Sequence, residues 1–235
     1  MRKLALLILI SLFTLSSLAQ WTPVVSGTHK RLTTVHFPVS MTGYAVGDFG
    51  AILKTTDAGT TWLILDSVVP YRLYSVFFTS VDSGHVVGEN GTILATNDGG
   101  LTWRVQVSGR YEDLHSVFFT SRDTGFASGM GPILKTTDGG NSWQLVHNGG
   151  AYFISIVFAD ANTGYAGGGY SSGTVFKSTD GGNNWVIKST NQFSPFSVHF
   201  PSSNIGFIAG MGGIILKSSD AGSNWQFQSS NGCAD

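Results

Sequence analysis

The chain lacks several things on which small exported folds and catalytic sites depend. One cysteine occurs in 235 residues, Cys233, so no internal disulfide can form and stability must come from packing. There is no Cys-x-x-Cys and no His-x-His spacing, which argues against a zinc site. Charged residues make up only 11%, with 13 basic and 14 acidic side chains and a net charge of −1. That leaves none of the clustered cationic charge on which nucleic-acid binding relies. Apolar residues still reach 42%, which excludes disorder driven by charge and low hydrophobicity. Glutamate occurs twice, as Glu89 and Glu112. Long apolar runs are missing too, with one exception at the N-terminus.

That exception reads as an export leader. Arg2 and Lys3 precede an apolar stretch over residues 4–13, and Ser17-Leu18-Ala19 places small residues at −3 and −1 of a cleavage point before Gln20. This is the three-part layout of a secretory signal peptide over residues 1–19. Residues 4–18 fall short of the roughly 20 that a membrane-spanning helix needs. Cleavage leaves 11 basic against 14 acidic residues, a charge of −3. The expectation is an exported protein of periplasm, extracellular space or lumen that does not span a membrane, and the leader carries no mark of a photosynthetic host.

What the chain has in excess is glycine, 31 of 235 or about 13%, against a usual share of about 7%. Its placement is periodic. Five segments share one octet, anchored by Asp57 and Trp62, Asp98 and Trp103, Asp138 and Trp143, Asp180 and Trp185, and Asp220 and Trp225. The aspartates are 41, 40, 42 and 40 residues apart. A Gly-led run precedes each octet, as in Gly43-Tyr-Ala-Val-Gly47, and Phe37, Phe78, Phe119, Phe158 and Phe200 stand six residues before each leading glycine. In the second unit the runs give strand A at 73–78, B at 84–88, C at 92–96 and D at 102–107. Period-2 runs bounded by Gly and Asp clusters are strand and hairpin signals, and four strands per period of about 40 residues mark a propeller blade. The octet itself is a C-to-D hairpin turn. Asp and the leading Ser or Thr serve turn amides, glycine supplies positive φ, and Trp pins the hairpin.

The octet Ser/Thr-x-Asp-x-Gly-x-x-Trp resembles the Asp-box, or bacterial neuraminidase repeat. Together with Gly43-Tyr-Ala-Val-Gly47 and the stretch Ile52-Leu-Lys-Thr-Thr-Asp57, it is similar to the photosystem II stability/assembly factor-like propellers. The resemblance covers residues 21–229. It implies an all-β propeller of four-stranded antiparallel blades, and a non-catalytic module that binds proteins or assists assembly. The expected organisation is one domain over 20–235, with blades at about 32–67, 73–108, 114–148, 153–189 and 195–229. Trp21 lies 14 residues before Val35, the spacing of a strand D to the next strand A, so 21–26 is expected to be one extra outer strand. Five complete blades plus that strand favour a chain whose native ring has six or more blades over a closed five-bladed ring. The present residues are expected to form a ring or an open arc.

An Asp-box glycoside hydrolase, sialidase-like, or a carbohydrate-binding propeller is the alternative. The resemblance to sialidases would require an Arg-Ile-Pro motif, which is absent, and an arginine triad, which Arg31, Arg72 and Arg110 imitate. Glycoside hydrolysis otherwise needs two carboxyls facing one bond, and no pair stands out. No catalytic residue, metal ligand or cofactor is therefore assigned. The D-to-A and B-to-C loops vary most among repeats and share the face opposite the Asp-boxes. Arg31, Arg72, Arg110, Tyr71, Tyr111 and Tyr152 are the candidate ligand-binding residues there, since Arg and Tyr are enriched in interfaces. The expected partner is a carboxylate-bearing segment of another exported or membrane protein, not nucleic acid.

Overall fold

The computed structural model describes residues 22–65, 67–169, 173–191 and 194–228; the expected leader and Trp21 lie outside them. Five four-stranded antiparallel blades follow one another. Blade 1 comprises β1 (Leu32–Val39), β2 (Thr42–Gly47), β3 (Ile52–Thr55) and β4 (Leu63–Leu65). Blade 2 comprises β5 (Leu73–Phe78), β6 (Gly84–Gly88), β7 (Ile93–Thr96) and β8 (Arg104–Gln106). In blade 3, β9 (Leu114–Phe119) pairs with β10 (Gly125–Thr136), which runs without a break through strands B and C. Then β11 (Gln144–Phe158) supplies both strand D of blade 3 and strand A of blade 4. Blade 4 continues with β12 (Gly164–Gly168), β13 (Gly173–Ser178) and β14 (Val186–Asn191), so blades 3 and 4 form one six-stranded sheet. Blade 5 comprises β15 (Pro195–His199), β16 (Gly206–Gly210), β17 (Ile214–Ser218) and β18 (Gln226–Gln228).

The extra outer strand expected at 21–26 does not form among the described residues. Residues 22–26 join no sheet, and Trp21 lies outside the described residues. Val24 and Ser26 instead border a groove with Leu32, Val35, Ala45 and Trp62 of blade 1.

Within a blade, one small set of contacts explains the sequence repeat. The Phe that closes strand A lies flat over the glycine that opens strand B, so a Cβ on Gly84 would collide with the Phe78 ring, and likewise for Gly125 and Phe119. The Asp-box Trp meets the same Phe edge-on, at 6.1 Å for Phe78–Trp103 and 5.9 Å for Phe158–Trp185. In the box, the Thr55 hydroxyl donates to Asp57 (2.8 Å) and accepts from the Gly59 amide (3.0 Å), while Asp57 accepts the Thr61 amide and hydroxyl. The other four boxes repeat this network, with the hydroxyl donor kept at Thr102 and Ser142 and replaced by a side-chain amide at Asn184 and Asn224. The Thr61 hydroxyl and amide, with Thr55, hold the Asp57 carboxyl down at about 2. Both central residues of the turn take positive φ, 59° at Ala58 and 88° at Gly59, which favours the Gly-Gly of three boxes; Ala58 and Ala221 take it with a side chain.

The core is divided into seams between consecutive blades. Tyr44, Val46 and Ile52 of blade 1 pack on Leu73, Val76, Phe78, Val86, Leu94 and Trp103 of blade 2. Equivalent clusters join blades 2 and 3, 3 and 4, and 4 and 5. Blade 1 has a further small cluster, Ala45, Ala51 and Leu53 with Trp62, that involves no second blade. Five blades and four seams make an open arc.

A polar mouth at the inner strands

The A strands line the axis of the arc, and a cavity of about 530 Å³ opens there with residues from all five blades around it. Counting back from the seam Val or Ile of each strand A explains the lining. One position back stand Thr34, Ser75, Ser116, Ser155 and Ser197, and two back stand Thr33, Tyr74, His115, Ile154 and Phe196. Three of the serines also fasten blades together. Ser75 accepts the Val117 amide (3.3 Å), Ser116 the Ile156 amide (3.1 Å) and Ser155 the Val198 amide (3.2 Å).

Arg31 and Arg72 both line this cavity, as their common place four residues before Val35 and Val76 requires. Their surroundings differ. The Arg72 guanidinium is paired with Asp48, which raises its pKa, and lies 5.9 Å from the Tyr74 ring centre. Glu89 accepts the Arg72 amide (3.0 Å) and the Tyr74 hydroxyl (3.5 Å). Arg31 is exposed; its carbonyl accepts the Asp48 amide (2.9 Å), while its guanidinium makes no hydrogen bond or ion pair among the described residues. From Arg72 a ladder of rings crosses three blades. Tyr74 meets His115 at 4.3 Å, and His115 meets Tyr152 at 4.7 Å. Burial lowers the His115 pKa against the pull of Asp113, and its Nε2 has no hydrogen-bond partner among the described residues.

The other three candidates lie elsewhere. Tyr71, Arg110 and Tyr111 line a separate groove of about 340 Å³ against strand β8. Arg110 stands 4.0 Å from Glu112, with much of its side chain covered. Its offset is legible in the sequence, because it precedes Val117 by seven residues, not four. Asp48 belongs to a B-to-C loop of the expected binding face, and Tyr74 and His115 become visible once the A strands are aligned on their seam residue.

The sequence profile of the family described as "Photosynthesis system II assembly factor YCF48" matches residues 63–150 and 148–231, well over half of the chain. No curated protein matches. Among solved structures, "YCF48 bound to D1 peptide" is similar at 20% identity with a TM-score of 0.57, covering 91% of this chain and 88% of that one. YCF48 from Cyanidioschyzon merolae is similar at 18% identity with a TM-score of 0.65, covering 85% of this chain and 72% of that one. An ancestral GH74 enzyme is similar at 21% identity and a TM-score of 0.72 over 88% of this chain, which spans only 32% of the enzyme. At these identities the structures share the propeller fold, and the profile match goes further: the chain belongs to the photosynthesis system II assembly factor YCF48 family of Asp-box propellers.

Proposed function

We infer that the protein is an exported, non-catalytic binding propeller that holds an extended segment of another exported or membrane protein over the mouth of its inner strands. The observation that carries this reading is Arg31, whose guanidinium has no partner among the described residues, on the same five-blade cavity as Tyr74 and His115, from which the ring ladder runs on to Tyr152. Arg72 is neutralised by Asp48, so Arg31 is the group that would take a carboxylate in a charge-assisted hydrogen bond. The rings beside it offer apolar faces for the neighbouring residues of the segment. A YCF48 structure with a bound D1 peptide supports a peptide-binding role within the family. Glycoside hydrolysis is less well supported. It needs two facing carboxyls, whereas Glu89 serves the Arg72 amide and Glu112 the Tyr111 amide.

The test is fluorescence anisotropy with a panel of labelled acidic peptides. Arg31→Glu is expected to weaken the best binder by about tenfold or more, the worth of one charge-assisted bond, and Arg110→Glu to leave it unchanged. Equal losses in both variants would move the site off the mouth. Turnover of glycosides that disappears on mutating Glu89 or Glu112 would replace the reading with an enzymatic one.

A further inference from the structure

The four seams share two contacts, a third recurs at three of them, and among the described residues both ends of the arc present unmet halves of these contacts. The first contact is a ring stack between strand B of one blade and strand A of the next. It is Tyr44 on Phe78 at 3.5 Å, His85 on Phe119 at 4.2 Å, Phe126 on Phe158 at 4.2 Å and Tyr165 on Phe200 at 3.8 Å. The second runs to a carbonyl at the fourth position of the next blade's Asp-box. Lys54 donates to Gly99 (2.9 Å), His85 to Gly139 (3.1 Å), Lys135 to Gly181 (2.7 Å) and Lys177 to Ala221 (2.6 Å). The third is the serine-to-amide bond described above, made at three seams.

At blade 5 the corresponding groups are Phe207, Lys217 and Ser197. Phe207 is 36% exposed and Ile215 is 41% exposed, where their blade 1 counterparts Tyr44 and Ile52 are fully buried. The Lys217 ammonium lies over the Phe207 ring and makes no hydrogen bond among the described residues. At blade 1 the receiving groups are Phe37, the Ala58 carbonyl and the Val35 amide. Val35 is 55% exposed, while Val76, Val117, Ile156 and Val198 are 3–5% exposed. Residues 22–26 flank this face without covering it. The two faces are therefore complementary in apolar character and in hydrogen-bond sense.

We propose that the protein associates head to tail with a second copy of itself, blade 5 of one copy packing on blade 1 of the other as consecutive blades pack within the chain. Phe207 stacks on Phe37 of the second copy, Lys217 donates to its Ala58 carbonyl, and Ser197 accepts its Val35 amide. Such an interface is heterologous, so it closes into a ring or continues as a filament.

Analytical ultracentrifugation of the purified protein over a wide concentration range tests this. The expected result is a concentration-dependent mass of two chains or more. Val35→Asp and Phe207→Asp each remove one face at an exposed site, so each variant alone is expected to be monomeric with an unchanged far-UV circular dichroism spectrum. Mixing them leaves one intact pair of faces and is expected to restore a dimer. Lys217→Glu weakens association without touching the apolar packing, which serves if either aspartate variant fails to fold. A wild type that stays monomeric throughout, whether through closure on itself or cover by other residues of the chain, overturns the proposal. So does a mixture that fails to dimerise.

Discussion

At the scale of single residues, glycine and histidine set the limits of the fold. Gly84 is required by the ring that lies over it, so Gly84→Ala forces Phe78 off its stack against Tyr44. The expected cost is about 1–3 kcal/mol, as for other overpacked cores, read as a lower urea midpoint. The Asp-box turns give the opposite case. Ala58 and Ala221 sit at φ 59° and 56° where the other three boxes use glycine, a conformation that strains a side-chain-bearing residue by about 1 kcal/mol. Ala58→Gly and Ala221→Gly are each expected to raise the melting temperature, and Gly139→Ala to lower it. His85 takes an aromatic position in a seam, stacked on Phe119 with Trp143 edge-on and Gly139 as hydrogen-bond partner. Burial pushes its pKa from 6.5 down to about 4. The unfolded chain therefore binds the extra proton first. Stability is whole above pH 6.5 and falls as the pH drops toward 4, by about 3 kcal/mol for a shift of that size. His85→Phe, the residue that blades 3 and 5 carry there, is expected to flatten that slope. His36, His115 and His147, whose pKa values burial also lowers, would keep part of it. Denaturation midpoints at pH 7 and pH 5 for both proteins measure the difference.

At the scale of the strand and the blade, what the sequence revealed and what it hid have one physical cause. The Asp-box is a closed local network within eight residues, so its hydrogen bonds are written in consecutive positions and the turn is legible five times over. Strand A is different. It alternates between a seam face and an axial face, and which residues look inward depends on register against strand B, such as Val76 opposite Val86. Tyr74, His115 and the serines carried no local signal for that reason. The outer strand expected at 21–26 depends on a partner in the same way: residues 22–26 pair with no strand among the described residues, and spacing alone names none. The serines also tie blades together, and this has a measurable consequence. Ser116→Ala takes the acceptor from the Ile156 amide between blades 3 and 4, and a buried amide left unpaired costs about 1–3 kcal/mol. Ser197→Ala, at the exposed end of the same series, is expected to leave the unfolding free energy of the monomer unchanged. Equal losses in the two variants would mean that the hydroxyls act within their own blades.

At the scale of the whole molecule, an arc of stacked blades is quasi-one-dimensional, and its stability approximates a sum of blade terms and nearest-neighbour seams. Blades 2, 3 and 4 each share two seams, while blades 1 and 5 each share one. Opening a terminal blade therefore breaks one seam and opening a central blade breaks two. Local openings of this kind govern amide exchange. At low protein concentration β2 and β16, the second strands of the terminal blades, are expected to exchange faster than β6 and β10, the second strands of blades 2 and 3. Raising the concentration separates the isolated arc from the associated one. If copies pack blade 5 on blade 1, each terminal blade gains its second seam, and exchange at β2 and β16 slows toward the central values while β6 and β10 stay constant. In Val35→Asp the gradient from ends to centre is expected to persist at every concentration. Uniform protection of all five blades in dilute wild-type protein would show that the ends of the arc are already buried within one chain, and the head-to-tail interface would then have no free surface on which to form.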